Sequence, residues 1–331
     1  MVSDGPQQGG GLAVPALSAL MVLLLAAGWL LSGRLVSDAP PLAVAAGRTA
    51  ASFATLVVVA ALRPRAWADV RTGSRRVGAV AVLAFLGFFA YYTGTLLGIG
   101  RIGASRVGLI VSLLPCLTFL IGITAFRERS SLRKALGTVV AVAAALGYAA
   151  ADGHASKTVN AAGSSLLTGA LFALGGTFAY AVYGYVYRHR MADVSPLAAL
   201  PAVTGAGTLM LGTAAALFVP LGAVSWADWG GIALLGAVLT APVFLISHQL
   251  ILLKGPLYTS ALALVVPFLV RLGEWALGWA GAPGPLPVAL ICLCSAGVWL
   301  TVGGKAPAPS PARAPAGAHG KDAALHEQGT S

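Results

Sequence analysis

Roughly ten apolar stretches of about 20 residues each, separated by short polar turns, succeed one another along this chain and limit its fold more than any motif could. Backbone placed in hydrocarbon must satisfy its own N–H and C=O groups, so stretches of this length fold as membrane-crossing helices. Composition leaves room for little else: of 331 residues, 58% are hydrophobic and 9% charged, with a mean hydropathy of +0.85. The chain reads as an all-α integral membrane protein of ten transmembrane helices, with the lipid bilayer as its surroundings.

The spans are expected at Ala13 to Gly33, Leu42 to Leu62, Val77 to Leu97, Ala104 to Thr124, Ala135 to Ala151, Ser164 to Tyr187, Leu197 to Val219, Gly230 to Leu252, Tyr258 to Trp279 and Leu286 to Val302. The first is too long for a signal-peptide core and lacks a basic region before it, so it reads as a retained helix. Arg63, Arg65, Arg71, Arg75 and Arg76 follow the second span, Arg127, Arg129, Arg133 and Lys134 the fourth, and Arg188 and Arg190 the sixth. By the positive-inside rule these loops are cytoplasmic. The loop after the fifth span carries only Lys157 and is external. Both termini then lie in the cytoplasm and the chain in the cytoplasmic (cell) membrane. The formal charge of +11 is a topological signal, since no recognition module accompanies it, and no nucleic-acid partner is expected. The glycine-rich lead 1–11 and the Ala-, Pro- and Gly-rich tail 304–331 are expected to be disordered.

Gly103 to Pro115 has an echo in Gly255 to Pro267: glycine first, small and aliphatic positions next, a proline after the same interval. Pro41-Leu-Ala near the start of span 2 likewise matches Pro196-Leu-Ala at span 7. The chain therefore divides into two five-helix repeats, 12–152 and 164–303, joined by an external linker, 153–163. Five is odd, so the second half enters from the opposite side and the repeats are inverted, a plan of secondary transporters whose substrates bind between the halves.

These residues resemble the drug/metabolite transporter superfamily, in its ten-helix branch built from two EamA-type domains. In the first half the likeness rests on Ala27-Gly28-Trp29, Pro41, Arg48, Pro115, Arg127-Glu128-Arg129, Gly137 and Gly147; in the second on Gly169, Pro196, Gly255, Pro267 and Gly297. The resemblance implies a transporter, and it alone supports Trp29 among the aromatic candidates. One departure stands out. Where such proteins place a glutamate at the end of helix 9, this chain has Ala280, while Arg271 and Glu274 occur earlier.

Ionisable residues inside spans are costly and face a cavity or a partner, which singles out Arg48, Arg106, Arg271 and Glu274. Arg271 and Glu274, three apart, share a helix face. A role in transport, a structural ion pair and a snorkelling Arg271 all stay open. Arg48, Ser52 and Thr55 form a polar stripe on span 2, read as a cavity wall, with snorkelling of Arg48 the alternative. Arg106 lies nearer the outer end, where simple interfacial anchoring competes. His248 could exchange protons or serve structure. Trp29, Tyr91, Tyr92, Tyr180, Tyr183 and Tyr187 are candidates for an aromatic lining, although the last two and their neighbours could form an interfacial belt. Glu128 reads as structural. Three intramembrane arginines against one glutamate make the outward cavity electropositive, which favours carboxylate-bearing substrates.

The leading reading is an exporter of small metabolites or drugs that works by alternating access. No G-x-x-x-x-G-K-[ST] loop is present, so a coupling ion (proton or sodium) or exchange would drive it. An enzyme is disfavoured. His154, His189, His248, His319 and His326 are scattered without metal-ligand spacing, and Cys116, Cys292 and Cys294 lie in apolar segments, so no catalytic residue, metal or cofactor is expected. A non-transporting receptor or scaffold is the other rival, one that would not need buried arginines.

Overall fold

The computed structural model describes residues 10–302 apart from 103, 129, 154–162, 280 and 283, and these are overwhelmingly helical. The first half comprises α1 (Gly10–Asp38), α2 (Pro41–Ala61), α3 (Pro64–Ser74), α4 (Val77–Ala84), a π turn at Phe85–Ala90, α5 (Tyr91–Ile102), α6 (Ala104–Val111), α7 (Leu114–Thr124) and α8 (Leu132–Gly153). The second comprises α9 (Gly163–Arg190), α10 (Pro196–Phe218), a 3-10 turn at Leu221–Ala223, α11 (Trp226–Leu234), a second π turn at Leu235–Thr240, α12 (Ala241–Lys254), α13 (Pro256–Ala263), α14 (Val266–Ala276) and α15 (Pro285–Val302).

Some boundaries differ from the expected ones. Among the described residues, seven stretches are long and apolar enough to cross a membrane, one of them running through both α13 and α14. A two-residue turn at 112–113 separates α6 from α7, as one at 264–265 separates α13 from α14. The arginine-rich connection after α2 is mostly the helix α3, not a loop. α1 begins at Gly10, within the last two residues of the expected lead, and residues 1–9, the tail from 303 and most of the external linker lie outside the described residues.

Prolines account for the breaks. Pro115 stands second in α7 and Pro267 second in α14, and neither can donate a hydrogen bond to the preceding turn. The chain tightens instead: Leu113 N–H reaches the Ile110 carbonyl (3.0 Å), and Leu264 N–H reaches that of Ala261 (3.1 Å). Pro242 stands second in α12, directly after the second π turn, in which Thr240 Oγ1 donates to the Leu235 carbonyl at 2.8 Å. The two halves thus carry the same irregularities in the same order, a π turn in one helix and a proline break in the next.

Packing follows that correspondence. α2 crosses α10, and α8 crosses α15. The π turn of the first half lies on α9 and α10, while that of the second lies on α1 and α2. Small residues set the close crossings: a Cβ on Gly297 of α15 would come within 2.5 Å of the Ala141 nitrogen of α8, and one on Gly94 of α5 within 2.6 Å of the Phe172 carbonyl of α9. Buried hydroxyls satisfy themselves locally. Thr49, Thr118, Thr138, Thr177, Thr204 and Thr301 each donate to the carbonyl four residues earlier, the usual resort of hydroxyls away from water. Large apolar side chains face outward as well, among them Leu62, Leu217 and Phe218, an exposure that only a lipid surround makes tolerable.

Candidate functional site

Three helices converge on Arg48. The second π turn presses on α2 here so closely that a Cβ on Gly236 would collide with the Arg48 carbonyl. Ser52, fully buried, ties the crossing by donating to the carbonyls of Arg48 (2.8 Å) and Gly236 (2.9 Å). The guanidinium turns away from that crossing toward α5, where one Nη donates to the Tyr92 hydroxyl and the cation lies 4.6 Å from the centre of the Tyr92 ring. No carboxylate pairs with Arg48 among the described residues, and its buried Nε has no hydrogen-bond partner there. An unspent donor on a cation without an acid is the form of a site for an anionic group.

A row of rings leads away from it. Tyr92 meets Tyr91 edge-on at 5.3 Å, Tyr91 meets Tyr180 at 4.7 Å, Tyr180 stacks on Tyr183 at 5.6 Å, and Tyr183 meets Tyr187 at 6.2 Å. Tyr180, Tyr183 and Tyr187 recur at i, i+3 and i+7, so α9 offers one face of rings. Gly87 in the first π turn makes room, because a Cβ there would meet the Tyr183 ring at 2.6 Å. Tyr183 and Tyr187 are 2% and 0% exposed, so the interfacial-belt reading does not hold for them. His248 closes the row. Its Nδ1–H donates to the Phe244 carbonyl at 2.6 Å, and in the neutral ring Nε2 then accepts from the Tyr183 hydroxyl. The Tyr187 ring packs on it at 4.4 Å with its own hydroxyl unpartnered among the described residues.

The other sequence candidates fall elsewhere. Thr55 donates to the Ala51 carbonyl (2.9 Å), as the buried threonines do to theirs. Trp29 is 57% exposed on α1 and makes no ring contact with this row among the described residues. Arg106 belongs to α6, and its side chain lies outside what is described. Arg271 and Glu274 do pair, at 3.6 Å, but both are partly exposed, and Arg271 also donates to the Gly281 carbonyl in the connection after α14 (3.2 Å). Glu128 accepts from Arg188 (2.7 Å) and Tyr185 (3.0 Å), in keeping with a structural part. Arg127, in the left-handed region at φ 50°, turns the chain there. Sequence reasoning missed Phe88 and Phe244, whose rings meet edge-on at 5.4 Å beside Tyr183 and His248. The aromatic run Phe85-Leu-Gly-Phe-Phe-Ala-Tyr-Tyr was the signal for the first of these.

Fold and composition define a multi-pass helical membrane protein with a cation and a tyrosine row buried between its helices. Residues 14–149 match the model of the EamA-like transporter family, of the drug/metabolite transporter superfamily. No curated protein matches the chain. One solved crystal structure of a protein superimposes with a TM-score of 0.74 at 19% identity, covering 87% of this chain and 95% of its own, a likeness of fold.

Proposed function

We propose that this chain is a secondary transporter that exports small carboxylate-bearing metabolites or drugs by alternating access between two inverted five-helix repeats. The observation that carries the substrate class is Arg48, enclosed by α2, α5 and the second π turn, unopposed by an acid and with Nε unspent. The repeated π turns and proline breaks support the two-half plan, as do the exchanged packing partners. Both termini are placed in the cytoplasm, with ten crossings. Coupling to a proton or sodium gradient, or exchange, supplies the energy. In this reading the pathway residues are Arg48, Tyr92 and His248, with Ser52 holding the crossing, while Arg271 and Glu274 lie toward its outer rim.

Flux in proteoliposomes tests it, measured across a metabolite panel with and without a pH gradient and inhibited by a carboxylate series or by quaternary ammonium compounds. Carboxylates should inhibit, and Arg48→Gln should weaken them about 10- to 100-fold, the worth of a hydrogen bond to a charged group. Potent inhibition by the cations, with carboxylates inert and Arg48→Gln harmless, would overturn the substrate assignment.

A further inference from the structure

Away from the tyrosine row, a cavity of about 450 Å³ opens between the end of α9 and the start of α4, lined by Arg75, Arg76, Val77, Gly78, Ala79 and Arg190. Three guanidinium groups brought to one cavity repel one another unless anions intervene. Only one is neutralised: Arg76 donates to both oxygens of Asp193 and, at 2.5 Å, to the Arg190 carbonyl. Arg75 and Arg190 are exposed and have no ion-pair partner among the described residues. Arg76 is thus a fixed wall, and the other two are left to meet an anion.

What lies beside the cavity identifies that anion. Below it, Val77, Ala81, Val82 and Phe85 are all exposed and fall on one helical face, so an apolar stripe runs from the arginines along α4 into its π turn. Leu62, Arg63 and Trp67, which precede α4 in the chain, are also exposed. Apolar surface that gives way to arginine along one helix marks the edge of a bilayer. A free phosphate would use the arginines and leave the stripe idle. We infer that this cavity binds the phosphate of an anionic phospholipid headgroup, with an acyl chain along Val77, Ala81, Val82 and Phe85.

Delipidated full-length protein, titrated in detergent with phosphatidylglycerol or phosphatidylcholine and read by native mass spectrometry, tests this without any transport measurement. Phosphatidylglycerol should bind preferentially, and Arg75→Gln with Arg190→Gln should weaken it about 10- to 30-fold, at the usual worth of a basic residue near an anionic surface. Phosphatidylcholine retention should not change. Arg75→Lys with Arg190→Lys should retain most of the preference, which separates lost charge from lost fold. Unchanged phosphatidylglycerol binding by the double Gln variant overturns the proposal. So does an equal loss on Lys254→Gln, which would show a diffuse surface field, or displacement of the lipid by millimolar inorganic phosphate, which would show a soluble-anion site.

Discussion

Arg48 and His248 show how differently a membrane interior treats two basic side chains. Arg48 keeps a donor unspent, whereas every ring nitrogen of His248 is engaged, Nδ1 by the Phe244 carbonyl and Nε2 by Tyr183. Tyr183→Phe should therefore leave Nε2 without its donor, costing about 1–3 kcal/mol, and a lowered thermal midpoint in detergent would register it. Arg271 and Glu274 sit at 3.6 Å and partly exposed, in the class of pairs that contribute little. Arg271→Met combined with Glu274→Met should change stability by less than about 1 kcal/mol and leave flux intact. Abolished flux in a well-folded double variant would return the pair to the mechanism.

At the scale of elements, the irregular turns have most effect. Both π turns stand where a helix of the other half crosses, and each directs the residues after it inward: Tyr91 and Tyr92 after the first, Phe244 and His248 after the second. π turns of this kind are commonest at functional sites. The glycines at the crossings permit the approach, so Gly297→Val should drive α8 and α15 apart, since even a Cβ has no room beside Ala141. A loss of about 1–3 kcal/mol is expected, visible as reduced folded yield against an unchanged Gly175→Val control, where a Cβ meets nothing within 4 Å.

For the whole molecule, Arg76 and Asp193 tie the approach to α4 to the connection after α9. The hydrogen bond from Arg76 holds the Asp193 carboxyl below its ordinary 3.8. A carboxyl lowered by folding contributes stability that is present above that value and lost as pH falls through its lower folded value. The difference in thermal midpoint between wild type and Asp193→Asn should accordingly be present at neutral pH and fade only in acid below the ordinary carboxylate range. Topology has its own test. Reporter fusions after Arg76, Lys134 and Arg190 should report cytoplasm and fusions within 156–162 the outside; a cytoplasmic signal from the latter would overturn the ten-crossing plan.

The sequence by itself determined the helical membrane class, because hydrocarbon enforces internal hydrogen bonding on any apolar run of sufficient length. It also singled out Arg48, because a charge in an apolar run stands out at once, whereas the spans holding Pro115 and Pro267 read as single helices and are each two. The neighbours of Arg48 could not be read there. Tyr92 and Tyr180, like His248 at the far end of the row, come from helices far apart in the chain, and a hydropathy pattern records only which residues favour burial. Nor could sequence tell Tyr183 and Tyr187 from an interfacial belt: they sit near a helix end, and only the crossing of α9 over the first π turn, at Gly87, buries them. For Arg271 and Glu274 the spacing gave the pair correctly, yet their exposure was decided by where α14 ends and how its connection folds back to Gly281, a long-range matter that no local pattern carries.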